Sequence, residues 1–309
     1  MIDFSRFNSI FELTEFFSTE DRCKRAIRDS RWEKGDVVCP YCGGHHCVER
    51  QDGRYRCHKC GKNFSVTVGT IFENTKISLR KWFIAMYLIS SHKKGVSSCQ
   101  LSRDIHVTQK TAWFILHKVR TLYGQYDTPA LDGEVEMDEM YLGGRETNKH
   151  ESKRIEGTQG RSTKTKTPIF GMVEREGRVR ALKVENTQAK TLMPIIKQFV
   201  AEHSVVFTDE HAGYGPLANE GYIHGVIRHG MGEYSKDGIS TNAIEGFWAH
   251  FKRCIFGTYH FVSRAYLQRY IDEAVYRYNT RKQTESQRFG YMFQAAIRNC
   301  SYQDVKIAS

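Results

Sequence analysis

The chain has no apolar run approaching the roughly 20 residues that cross a bilayer. Its first residues, MIDFSRFNSIFELTEFF, carry acids and lack a signal-peptide cleavage pattern. Both absences predict a cytosolic protein. Internal repeats and extended low-complexity tracts are missing too, which argues against solenoids and linkers. Nine cysteines is an odd number for a disulfide framework. Acidic residues are outnumbered: 35 Asp and Glu stand against 46 Lys and Arg, for a formal net charge of +11. Such an excess points to a polyanionic partner, most often nucleic acid, with a merely basic soluble enzyme as the competing reading.

What is present is enough for one large domain and one or two small ones. The chain has 309 residues, 40% of them apolar. Residues 1–30 read as a helical segment, with Phe7, Ile10, Phe11, Leu13 and Phe17 at helical spacing in one helix from Phe4 to Arg28.

Residues 31–68 hold CPYC and CHKC. Cys39, Cys42, Cys57 and Cys60 form two C-x-x-C knuckles, each presenting two thiolates to one tetrahedral structural Zn²⁺, with Gly43 and Gly61 permitting the turns. A redox C-x-x-C needs one such pair, not two. His45, His46, Cys47 and His58 are weaker ligand candidates. A ribbon this small has little core, so the metal supplies its folding energy.

Residues 76–126 read as three helices. The short second helix, a turn near His106 and a third helix opening TQKTA give helix-turn-helix spacing. Gln109, Lys110 and Thr111 then face the DNA major groove, while Ala112, Ile115, Leu116 and Val119 pack inward.

Residues 132–282 alternate strands and helices. Two acidic pairs close strands: Asp138-Glu139 in EVEMDEMYLGG and Asp209-Glu210 in HSVVFTDEHAGY. A third carboxylate, Glu245, rides a helix within STNAIEGFWAHFKR. Ser240, Thr241 or Asn242 is expected to cap that helix, and Ile244, Phe247, Trp248, Phe251 and Ile255 to face a core. Lys252 lies seven residues beyond Glu245, close to two turns, on the same face. The polar, basic insertion Arg145 to Pro168 reads as a mobile loop whose Lys164 and Lys166 meet the DNA backbone. Tyr141, His211, Tyr214 and His229 are further site candidates. Residues 283–309 read as a C-terminal tail.

Taken together, CPYC…CHKC, TAWFILHKVR, DEMYLGG, PIFGMVER, TDEHAGY and TNAIEGFW…K resemble a known family. It is the bacterial insertion-sequence DDE transposases with an N-terminal zinc ribbon, the ISXO2-like, Merlin-related group. The resemblance implies an α/β fold: a ribonuclease-H-like catalytic domain preceded by the ribbon and the helix-turn-helix segment. It implies Asp138, Asp209 and Glu245 as ligands of Mg²⁺ or Mn²⁺, with Lys252 as a substrate contact. Asn242 competes with Glu245 for the third position, and Glu139 and Glu210 are rivals of the two Asp residues. The implied activity is binding of terminal inverted repeats followed by metal-dependent strand cleavage and transfer into target DNA, by a homodimer or larger assembly. The alternative is a DNA-binding regulator with an inactive nuclease domain.

Overall fold

The computed structural model describes residues 2–32, 35–126, 128–144, 150–155, 162–228 and 240–298. The chain divides into two units, residues 1–125 with 282–309, and residues 126–281.

The first unit opens with α1 (Ile10–Phe16) and α2 (Glu20–Arg31). The single helix expected from Phe4 to Arg28 is broken between them. The Thr19 hydroxyl accepts the Arg22 backbone N–H and starts a new helix there, as Ser9 does for Glu12. The ribbon follows as β1 (Cys47–Glu49), β2 (Tyr55–Cys57) and β3 (Asn63–Phe64), an antiparallel sheet in that order. β1 and β2 form a hairpin, with Val48 opposite Arg56. Three helices come next: α3 (Leu79–Ser91), α4 (Ser98–Asp104) and α5 (Gln109–Tyr123). Each begins at a hydroxyl, Ser78, Ser97 or Thr108, that accepts a backbone N–H of its first turn.

Residues 283–309 are not simply a tail. Glu285–Ile297 form the chain's last helix, opened by a capping box between Thr284 and Gln287. Phe289, Met292, Phe293 and Ala296 recur at three- and four-residue steps and are fully buried. Phe293 meets Phe83 of α3 edge-to-face at 5.2 Å, and Ile71 N–H donates to Ala296 C=O at 3.1 Å. An amphipathic stripe with a cap is what turns this stretch into core.

The second unit is built on β4 (Glu134–Leu142), β5 (Thr167–Glu174), β6 (Val179–Lys183), β7 (Val205–Thr208) and β8 (Ile223–Val226). They order as β6-β5-β4-β7-β8, with β4 antiparallel to β5 and parallel to β7. Helix α6 (Ala189–Phe199) joins β6 to β7, and α7 (Asn242–Cys254) and α8 (Leu267–Asn279) follow β8. Side chains alternate across β4. Val135 and Met137 enter one core with Phe170, Leu192, Ile196 and Tyr214. Met140 enters the other, with Ile169, Ile244, Trp248, Phe251 and Ile271. The sheet is therefore covered on both faces, which explains the continuous apolar run of PIFGMV in β5.

Of the basic insertion, residues 145–149 and 156–161 lie outside the described residues, as does His229. Residues 162–166 are tied down. The Arg264 guanidinium donates to the carbonyls of Thr163, Lys164 and Lys166 at 3.4, 3.2 and 3.3 Å.

Candidate metal centres

The four cysteines of the ribbon converge. Their sulfur atoms all lie within 4.8 Å of one another, with Cys39–Cys60 at 3.7 Å and Cys42–Cys57 at 3.6 Å. Sulfurs bound about 2.3 Å from one tetrahedral zinc sit about 3.8 Å apart, so the donor set fits structural Zn²⁺. Both knuckles turn through glycines in the left-handed region, Gly43 at φ +68° and Gly61 at φ +71°. The thiols share protons unequally: backbone N–H groups of Cys60 and Lys59 draw Cys57 down to about 6, while the Gly44 backbone is outweighed by burial and the other three sulfurs, which push Cys42 up to about 12. The four spare candidates are used otherwise. His45 bonds Asp36, His46 stacks on His58, and the Cys47 thiol donates to Gly44 C=O.

The acidic residues gather at the ends of β4 and β7. The parallel register pairs Glu136 with Phe207, so two residues further along Asp138 runs beside Asp209. Adjacent strands lie about 4.8 Å apart. Asp138 is on the face that receives α7. Burial pushes its carboxyl up to about 7, and the charges of Glu139, Asp209 and Glu245 add to that. Asp209 anchors the following turn by accepting the His211 N–H at 2.9 Å. Among the described residues only the cysteines close to within 4.8 Å as a group, so the three carboxylates stand further apart than the thiols. Like charges without a cation between them repel, and this surplus of hard oxygen donors fits a divalent ion.

The rivals are placed differently. Glu139 points to the opposite face of β4, where it raises the fully buried Tyr214 phenol, a shift led by burial itself. Glu210 is exposed beyond the strand. Lys252 and Asn242 are exposed on α7 along with Glu245. Tyr141 Oη lies 3.1 Å from Thr187 Oγ1, which lies 3.3 Å from His211 Nε2, so both candidates join one polar chain beside Asp209.

Two positioning residues went unread in the sequence. No side chain of Ser240, Thr241 or Asn242 caps α7. The cap is Glu136, whose Oε2 accepts the N–H groups of Ala243 and Ile244, while Oε1 takes Arg175 Nε at 2.9 Å. A carboxylate two residues before Asp138 on the same strand face was the available signal. Gly171, opposite Asp138 on β5, is the second. A Cβ there would meet Trp248 Cζ2 at 2.4 Å, so only glycine lets the α7 indole lie against the sheet.

In the first unit, Lys110 is exposed at the start of α5. Gln109 Nε2 donates to Ser98 Oγ at 2.7 Å, and the Thr111 hydroxyl meets that of Thr108 at 2.9 Å. Two of the three expected groove residues thus also brace the α4–α5 turn.

Comparison with known proteins defines the class. Residues 130–279 match the ISXO2-like transposase domain, and residues 18–63 match the transposase zinc-ribbon domain. A protein in transposable element ISH50 of Halobacterium salinarum is 30% identical over 243 residues, covering 74% of this chain and 81% of that relative. A transposase-like protein of Haemophilus influenzae is 29% identical over 102 residues, which is 33% of this chain and 81% of the relative. The chain belongs to the ISXO2-like transposase family with an N-terminal zinc ribbon. No helix among the described residues is long and apolar enough to cross a membrane.

Proposed function

We propose that this chain binds the terminal inverted repeats of an insertion sequence and carries out strand cleavage and strand transfer with Mg²⁺ or Mn²⁺. The observation that carries the reading is the parallel β4–β7 register, which sets Asp138 beside Asp209 at the ends of adjacent strands. The β6-β5-β4-β7-β8 order, three antiparallel strands continued by two parallel ones, supports a ribonuclease-H-like domain. The capped α4 and α5 support a helix-turn-helix, with Lys110 leading into the groove and Gln109 and Thr111 beside it.

Asp138 and Asp209 hold the ions from adjacent strands, and Glu245 closes the set from α7. When bound, a pair of such ions stabilises the attacking and leaving oxygens of an in-line displacement at phosphorus. Lys252, two turns along α7, holds a phosphate oxygen as a point charge. Lys164 and Lys166, on the loop tied by Arg264, meet the DNA backbone. Two DNA ends must be brought together, so a homodimer or larger assembly acts on DNA. The test is strand cleavage and joining of repeat-ended DNA by the purified protein with and without Mg²⁺ or Mn²⁺. Binding with neither cleavage nor joining would favour a regulator instead.

A further inference from the structure

A groove of about 340 Å³ opens in the second unit where β4 ends. Its walls include Leu142, Gly143, Phe256, His260, Phe261 and Arg264, and among the described residues no carboxylate lines it. Three features set it apart from ordinary surface. Phe256 is 58% and Phe261 80% exposed, a costly display of aromatic area for a chain that buries most of its phenylalanines. The segment carrying them departs from regular helix: Ile255–Tyr259 widen into a π turn that ends at His260, with φ +60° and ψ −46°. Such geometry in a non-glycine residue is strained, and strain concentrates where a side chain must be aimed. Finally, Gly143 lets the Thr165 carbonyl close against the wall, because a Cβ there would sit 2.7 Å from that oxygen.

The groove is aligned with the acidic cluster. Leu142 follows Asp138 by four residues on the same strand face, a run of about 13 Å. Glu245 and Lys252 lie on one face of α7, and Phe256 stands in the π turn that continues directly from its end. Arg264 stands in the wall, Lys164 and Lys166 lie on the loop that Arg264 ties, and Lys252 lies four residues before Phe256. Exposed aromatic faces beside an arginine are complementary to a nucleobase on its phosphate backbone. The groove and the carboxylates thus share one strand, within reach of a single DNA strand lying along it.

We propose that this groove is a base-stacking subsite that takes an unpaired nucleotide of the DNA flanking the scissile phosphate, between Phe256 and Phe261. The inference rests on the DNA-processing reading above and adds to it a preference for DNA that is unpaired beside the cleaved bond. Stacking of this kind ignores base identity, because every base offers a π face.

The test uses the full-length, zinc-loaded protein and two labelled duplexes. One carries a short overhang of unpaired thymidines and the other the same overhang made of abasic sites. Wild type is expected to bind the thymidine overhang about tenfold more tightly, the scale of one stacked base. Phe261→Ala should erase most of that difference, and Phe261→Trp should retain it. Phe261 is exposed enough that folding is expected to survive, which zinc content and circular dichroism will verify. Equal binding of both overhangs by wild type, or undiminished discrimination in Phe261→Ala with Phe256→Ala, overturns the proposal. So does a concentration-dependent dimer that Phe261→Ala abolishes, which would assign the groove to a second copy of the chain. Cleavage with Mg²⁺ is scored separately. Cleavage without discrimination removes the subsite alone, and discrimination without cleavage removes the transposition reading alone.

Discussion

Glu136 Oε2 accepts the backbone N–H of Ala243 at 2.7 Å, across more than a hundred residues of chain, and the N–H of Ile244 at 3.2 Å. These are second- and third-position donors of α7, which otherwise have no intrahelical partner. The carboxylate is 2% exposed and faces the positive end of the helix. Arg175 completes the joint. It pairs with Glu136 and Glu134 and donates to Ser240 Oγ at 3.1 Å. The helix that delivers Glu245 is thereby fixed to the strand that delivers Asp138.

Removing this joint should loosen the acidic cluster without touching any proposed metal ligand. Glu136→Ala is expected to cost about 2–3 kcal/mol, because it strips a charged cap and leaves Arg175 half-buried beside the gap. Glu136→Gln keeps an acceptor and should cost about half as much. Thermal unfolding of the two variants checks this. Equal stability of Glu136→Ala and wild type would show that α7 is held by packing alone.

Gly171 makes a second test of the same seating. Gly171→Ala places a methyl group into the Trp248 ring, an overpacking cost of about 1–3 kcal/mol. Trp248→Phe opens space at that contact, so the double variant should be more stable than the sum of the single effects predicts. A strictly additive double-mutant cycle would remove the argument that glycine is required for this contact.

Asp138→Ala or Asp209→Ala should abolish cleavage of repeat-ended DNA and leave binding intact. Glu245→Ala should do the same, whereas Asn242→Ala should cleave at close to the wild-type rate. Cleavage assays paired with gel-shift binding decide it. Retained cleavage by either Asp variant would withdraw the metal-ligand assignment, and loss only in Asn242→Ala would move the third position there.

Cys39→Ser should lower zinc content and unfold the ribbon, weakening DNA binding by tenfold or more while the second unit keeps its own unfolding transition. Metal analysis and binding titrations measure this. Full zinc stoichiometry in the variant would show that three thiolates suffice.

Asp272 gives a prediction in pH. Burial raises its carboxyl from 3.8 to about 6, against smaller lowering effects of the Gln268 amide and Arg269. The folded state therefore binds this proton more tightly than the unfolded chain does. Stability from this group is intact below about pH 4, is lost as pH rises to about 6, and stays lost above that. Asp272→Asn can still accept the Gln268 amide bond, 2.8 Å in the native protein. It should stabilise the protein by about 1–3 kcal/mol near pH 8 and by little near pH 4. Unfolding at both values is the check, and a pH-independent gain would assign the effect to something other than ionisation.

Much of this protein was decided locally and could be read as such. Two C-x-x-C knuckles with glycines behind them specify a four-sulfur cage, because each knuckle closes within its own turn. The helices α3 to α5 were legible for the same reason, each with a hydroxyl cap and an apolar stripe. The strand carrying Asp138 and the apolar face of α7 were visible in their periods. Other features depended on residues far apart in sequence. The last helix was misread because a tail and a docked helix differ only in whether something covers Phe289 and Phe293. The α7 cap was sought among its neighbours but came from Glu136, and Gly171 carries no motif beyond its missing side chain. Local chemistry fixes which groups the chain can present. Only the packing of α7 against β4 and β5 set how near Glu245 comes to Asp138, since no rule of spacing encodes a distance between two elements that meet through the fold.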